Sequence, residues 1–112
     1  MLIYKILRSD EWAALRAHGE TAGAPIDVSD GFVHFSTAEQ APETAARHFV
    51  GAQGLVLLAL DADALGDSLK WETSRGGALF PHLYGLLRLS DVLWHADLPL
   101  VDGVHRFPSA MV

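Results

Sequence analysis

Leu55–Leu60 reads Leu-Val-Leu-Leu-Ala-Leu, and no longer uninterrupted apolar run occurs in the chain. Spanning a bilayer takes about twenty apolar residues in a helix, so this run is not a membrane segment. At this length it predicts a strand with no polar face, central in its sheet and covered on both sides. The rest of the chain must supply both covers. Half of the 112 residues are hydrophobic and a fifth are charged, which excludes disorder over most of the length. That size predicts a single domain, 1–112.

The flanking segments predict short elements. Leu2–Leu7 is a strand of apolar residues around one lysine, Lys5. Ser9 fits an N-cap, with Asp10 and Glu11 in the first turn, Trp12 and Leu15 facing inward with Ala13 and Arg16 beside them, and Gly19 as the stop. Turn residues dominate Thr21–Gly31, a loop long enough to suspect a role. Phe32–Phe35 predicts a strand leading into a helix. Ser36 with Glu39, and Thr37 with Gln40, each fit a capping box. Pro42 predicts an irregular first turn, with the helix settling only there; Ala38, Ala41, Ala45 and Phe49 share its inner face. Asp61–Leu65 is a turn, Leu69–Glu72 a strand, Ser74–Gly77 a turn, and Phe80–Leu89 and Val92–Leu98 are strand-like. About six short strands and two main helices make an α+β fold rather than a repeating parallel one.

Eight basic against fourteen acidic residues leave a net charge of −6. Each half of the chain holds four basic and seven acidic residues, so there is no cationic stripe, and general nucleic-acid binding is not expected. One pocket for a phosphate remains open to such a chain, because it needs only one cation and some backbone N–H groups. Cysteine is absent, which excludes thiolate chemistry and cysteine-ligated metals. No basic-then-apolar leader opens the sequence, so the expected location is cytoplasmic. Six histidines occur without the i, i+2 or i, i+4 spacing of a metal site, and no metal is expected.

Three segments can carry chemistry. In Asp30-Gly31-Phe32-Val33-His34-Phe35-Ser36-Thr37, strand alternation puts His34 on the face of Phe32, next to a helix N-terminus that favours anions. An imidazole on an apolar strand needs a polar partner; the plain alternative is a bond to a backbone carbonyl, with Ser36 and Thr37 only capping. In Phe80-Pro81-His82-Leu83-Tyr84-Gly85, His82 and Tyr84 face one way and can wall a pocket for a flat ring or a ribose, and Pro81 points to an edge strand. The alternative leaves both polar tips in water. In Lys70-Trp71-Glu72-Thr73-Ser74-Arg75, Trp71 is expected in the core, Glu72 can act as a base or hold a sugar hydroxyl, and Arg75 can meet a phosphate. The alternative is a solvated hairpin.

These segments, with Tyr4-Lys5-Ile6, Gln40 and Trp71-Glu72, resemble a family of small bacterial proteins catalogued as domain of unknown function 952. That family is similar to the ADP-ribosyltransferase-like superfamily, nearest the transferase that removes a 2′-phosphate from RNA with NAD. The matching stretch runs from Val33-His34-Phe35-Ser36 to the apolar strand and Asp61. The resemblance implies a split, mostly antiparallel two-sheet fold with a cleft for a nucleotide-like ligand; the cofactor stays open, with NAD as the one candidate the resemblance offers. By position it implies His34 as the cleft's polar anchor and Glu72 as the nearest match to a late-strand glutamate. With the residue readings above, His34, Glu72 and His82 are expected as catalytic residues, and Tyr4, Lys5, Ser36, Thr37, Arg75 and Tyr84 as ligand-binding ones. Where those transferases carry His-Gly-Thr on the first strand, this chain has Tyr4-Lys5-Ile6. Three readings follow: a small transferase-like enzyme, a non-catalytic ligand-binding module, and a protein-interaction module.

Overall fold

Residues 55–60 are the middle of a sheet, and both faces of that strand are buried. The structure, a computed structural model, describes residues 1–111, leaving out the side chain of Arg75. Chain order is β1 (Leu2–Leu7), α1 (Ser9–His18), β2 (Glu20–Thr21), α2 (Pro25–Asp30), β3 (Val33–His34), α3 (Ala41–His48), β4 (Leu55–Asp61), a 3₁₀ stretch (Ala62–Ser68), β5 (Leu69–Thr73), β6 (Leu79–Leu83), β7 (Leu87–Arg88), β8 (Val92–Leu98), β9 (Leu100–Val101) and β10 (Val104–His105).

The strands form two three-stranded sheets, β1-β4-β8 and β3-β6-β5, and two short ladders, β2-β7 and β9-β10. Every pairing is antiparallel. On one face of β4, Val56, Leu58 and Leu60 pack with Ile3, Leu7, Trp12, Leu15, Val33, Phe35 and Leu83. On the other, Leu55, Leu57 and Ala59 pack with Tyr4, Ile6, Ala45 and Leu98, and Phe107 and Met111 of the tail close over them. The two three-stranded sheets share the first of these cores, and a backbone bridge also joins them. The Tyr4 N–H donates to Ser36 O (2.8 Å) and the Ser36 N–H donates to Tyr4 O (2.9 Å). Residues 4–6 of β1 and 34–36 at the end of β3 line a cleft at this joint.

The fold is α+β, with more pieces than the hydrophobic pattern predicts: ten strands and three α-helices among the described residues. Five of the strands are only two residues long, too short to show a periodicity. The additional helix, α2, lies inside the predicted loop. Pro25 stands in its first turn, the Asp27 carboxylate accepts the Ala24 N–H (2.7 Å), and Gly31 closes it at φ 86°. Its apolar residues Ile26 and Val28 are exposed, so it presents no inward stripe to read. Helix α1 is capped one residue earlier than expected. Arg8 is its N-cap, the Glu11 carboxylate accepts the Arg8 N–H (2.8 Å), and Gly19 closes it at φ 79°. Trp12 and Leu15 face inward, while Ala13 and Arg16 are exposed. Thr37 and Gln40 form the capping box (3.0 and 3.3 Å) one turn ahead of α3, which settles at Ala41–His48 with Pro42 in its first turn.

Two expectations are corrected. Pro81 is on the central strand β6, not an edge. The register places Phe35 opposite Pro81, and the Phe35 N–H donates to Pro81 O (3.0 Å). Proline has no N–H to return, so β3 stops at His34, while the β5 ladder on the other side of β6 is untouched. Trp71 is not in the core but 39% exposed. It lies in the middle of the edge strand β5, opposite Pro81.

Candidate functional site

The cleft has a volume of about 570 Å³. Tyr4 and Lys5 of β1, His34 and Ser36 at β3, and His82 of β6 all line it, joined by Arg8, Glu11, His48 and Phe49. Thr37, Glu72 and Tyr84 do not line it. Arg75 was expected to meet a phosphate; its side chain lies outside the described residues.

Lys5 alternates with Tyr4 and Ile6, so it falls on the face of Ile3 and Leu7, inside the apolar core. A buried ammonium needs a carboxylate, and Asp27 supplies one at 2.8 Å. The Asp27 side chain is fully buried. Its Oδ2 accepts Lys5 Nζ and the Ala24 N–H; its Oδ1 accepts the His34 N–H (3.0 Å) and faces His34 Nδ1 at 2.6 Å. Burial pushes the Asp27 carboxyl up, but the His34 hydrogen bond and the charge and hydrogen bond of Lys5 outweigh it and hold the pKa at about 2. Gly23 makes room for this group. A Cβ there would stand 2.3 Å from Asp27 Oδ2, and its φ of +104° suits only glycine.

His34 is half-buried, and its ring reaches carboxylates rather than a backbone carbonyl. Nδ1 faces Asp27, and Nε2 lies 3.0 Å from Asp30 Oδ2 at the exposed end of α2. His82 pairs with His34 across the β3–β6 ladder, so the two rings share a face, with centroids 5.4 Å apart. Phe32 lies against both, stacked on His82 at 4.2 Å and tilted to His34 at 4.6 Å. His82 is buried, and its Nδ1 lies 2.8 Å from Glu72 Oε1, which also accepts the Tyr84 hydroxyl at 2.8 Å. Hydrogen bonds from His82 and Tyr84 hold the Glu72 carboxyl below its ordinary range, and the same bond pushes the Tyr84 phenol up. A carboxylate on Nδ1 fixes the ring's orientation, and among the described residues Nε2 has no hydrogen-bond partner, an arrangement that can serve general-base chemistry. Ser36 Oγ is 2.9 Å from Thr44 Oγ1 on α3. Thr37 serves the capping box, the plainer of its two expected roles.

Sequence reading missed Asp27, Asp30 and Arg8. Asp27 carried a signal, a carboxylate two residues after Pro25 and at the third position of a short helix, but its contacts are set by the tertiary fold. Among the described residues no cluster of three or more His, Cys, Asp or Glu could hold a metal ion, and no helix is long and apolar enough to cross a membrane.

Antiparallel sheets joined by a backbone bridge, with two carboxylate-backed histidines beside the joint, define a small α+β protein with a largely apolar cleft that carries a few polar side chains. The chain belongs to the family described as protein of unknown function (DUF952), whose model matches residues 6–95. It is similar to protein CC0527 from Caulobacter crescentus. The crystal structure of CC0527 is 55% identical, with 95% of this chain and 94% of that chain covered and a TM-score of 0.91. Its solution NMR structure is 57% identical, with 92% and 90% covered and a TM-score of 0.83. No curated protein matches.

Proposed function

We propose that the cleft holds a nucleotide-like ligand and that the chain is a small transferase-like enzyme acting on a ribosyl or phosphoryl group of it. The observation that carries this reading is the convergence of His34 and His82, each backed by a carboxylate, on one cleft. Its volume falls in the range of small-molecule sites, roughly 300–1,000 Å³. The resemblance to the ADP-ribosyltransferase-like superfamily supports the same ligand class and makes NAD the first cofactor to test. Under this reading Tyr4, Lys5 and Ser36 form the wall beside the two histidines, and Glu72 and Tyr84 act from behind His82.

One observation favours the second reading, a non-catalytic ligand-binding module. At the first-strand position where those transferases grip NAD, Lys5 is buried and tied to Asp27. An NMR titration of the wild type and His34→Ala with NAD, ADP-ribose and a 2′-phosphorylated dinucleotide tests ligand class first. Saturable amide shifts at Ser36, Thr37, His82 and Tyr84, lost in the variant while its fold persists, are expected. Flat spectra at millimolar ligand remove nucleotides from consideration and leave the superfamily likeness as a matter of fold alone.

A further inference from the structure

The two histidines have different surroundings, and the difference assigns roles. Both ring nitrogens of His34 face carboxylates, Asp27 at 2.6 Å and Asp30 at 3.0 Å, so an N–H on either nitrogen has an acceptor. His82 meets one carboxylate, Glu72 on Nδ1, and among the described residues nothing hydrogen-bonds its Nε2. Two imidazoles 5.4 Å apart, one with both nitrogens on carboxylates and one with a nitrogen left over, are placed to divide the work of an acid and a base. The cation for an anionic substrate is also on the cleft wall, and it is not Lys5, whose charge Asp27 matches. The Arg8 guanidinium lies 4.9 Å from the centre of the Phe49 ring, and among the described residues no carboxylate pairs with it.

We infer that the cleft cleaves a phosphodiester by acid–base catalysis, with His82 as the base, His34 as the acid and Arg8 as the anchor of the phosphate. This rests on the reading of the cleft as a nucleotide-like site and adds the reaction to it. Water attacks phosphorus as His82 Nε2 takes its proton. The new P–O bond forms, the bond to the leaving oxygen breaks, and that oxygen takes the proton from His34 Nε2, replacing Asp30 as the acceptor. The products are a phosphomonoester and a free hydroxyl. His82 then releases its proton to solvent and His34 regains one. Glu72, Asp27 and Asp30 are positioning residues.

The test follows 2′,3′-cyclic AMP by ³¹P NMR, reading binding and turnover on the same sample. Saturable shifts, conversion to a monophosphate and a bell-shaped pH–rate profile are expected. His82→Ala lowers kcat about a hundredfold or more and removes the acidic limb; His34→Ala does the same to the alkaline limb. Should either alanine variant fold poorly by its amide spectrum, the glutamine variants and the wild-type profile still decide. Arg8→Met raises KM with kcat held, and Glu72→Gln lowers kcat with KM held. Binding without conversion overturns the acid–base assignment and leaves the ligand cleft standing. No binding overturns both. Conversion that persists in His82→Ala and His82→Gln overturns the role of His82.

Discussion

The buried Asp27 carboxylate accepts hydrogen bonds from the Ala24 and His34 backbone, from Lys5 and from the His34 ring, and so ties α2 to β1 and β3 at one atom pair. Removing its charge leaves the Lys5 ammonium buried without a partner. Asp27→Asn is therefore expected to lose about 3 kcal/mol of stability at pH 7, read as a lower denaturant midpoint. The pH dependence has a definite sign. The folded pKa of about 2 lies below the ordinary 3.8, so the stabilisation is complete above pH 4 and disappears as pH falls through 2. It amounts to about 2 kcal/mol. Unfolding midpoints taken every half unit from pH 5 to pH 2 should show this drop in the wild type and a shallower one in Asp27→Asn. Parallel curves would mean that the Asp27 charge does not stabilise the fold.

Among the elements, β4 is the one with no dispensable side. Leu57 and Leu58 are both fully buried, but they point into different cores. Leu57→Ala and Leu58→Ala should each cost about 3 kcal/mol, whereas Leu93→Ala, on the exposed side of β8, should change stability by less than about 0.5 kcal/mol. Equilibrium urea unfolding checks all three. A mild effect at either β4 position would mean that the core on that side is thin. The same strand was the plainest element to read in the sequence, because six apolar residues leave few other outcomes. Helix α2 was not readable. Its caps are present, but Ile26 and Val28 face solvent and its only buried side chain is the Asp27 carboxylate. Hydrophobic periodicity cannot find a helix held in place by a salt bridge.

At the scale of the whole molecule, burial is uneven. The β1-β4-β8 sheet has a core on each face, while the β9-β10 ladder has two residues per strand, with Val101 and Val104 exposed. Native-state hydrogen exchange should follow this gradient: β4 amides exchange only on global unfolding, and those of β9 and β10 exchange through cheaper local opening. Equal protection in both would show that the tail ladder is part of the cooperative core.

Alternation along a strand is a local property, and so it could be read directly. It placed His34 on the face of Phe32 and His82 on the face of Tyr84, and the structure has these four side chains in one cluster. Stops and capping boxes are local too, which is why the Gly19 end of α1 and the Thr37–Gln40 box were legible. What covers a strand, and which distant carboxylate meets a lysine or an imidazole, depends on topology. Trp71 lost its expected cover because β5 became an edge, and Pro81 became central because its missing N–H faces the end of a strand two residues long. Lys5 and Asp27 are 22 residues apart and meet only because α2 lies against β1. The sequence by itself determined the longer strands β1, β4 and β8 and the faces on which His34 and His82 lie. Only the tertiary structure decided which side chains share a cleft, because burial and charge pairing come from what the chain brings together and not from what stands next in line.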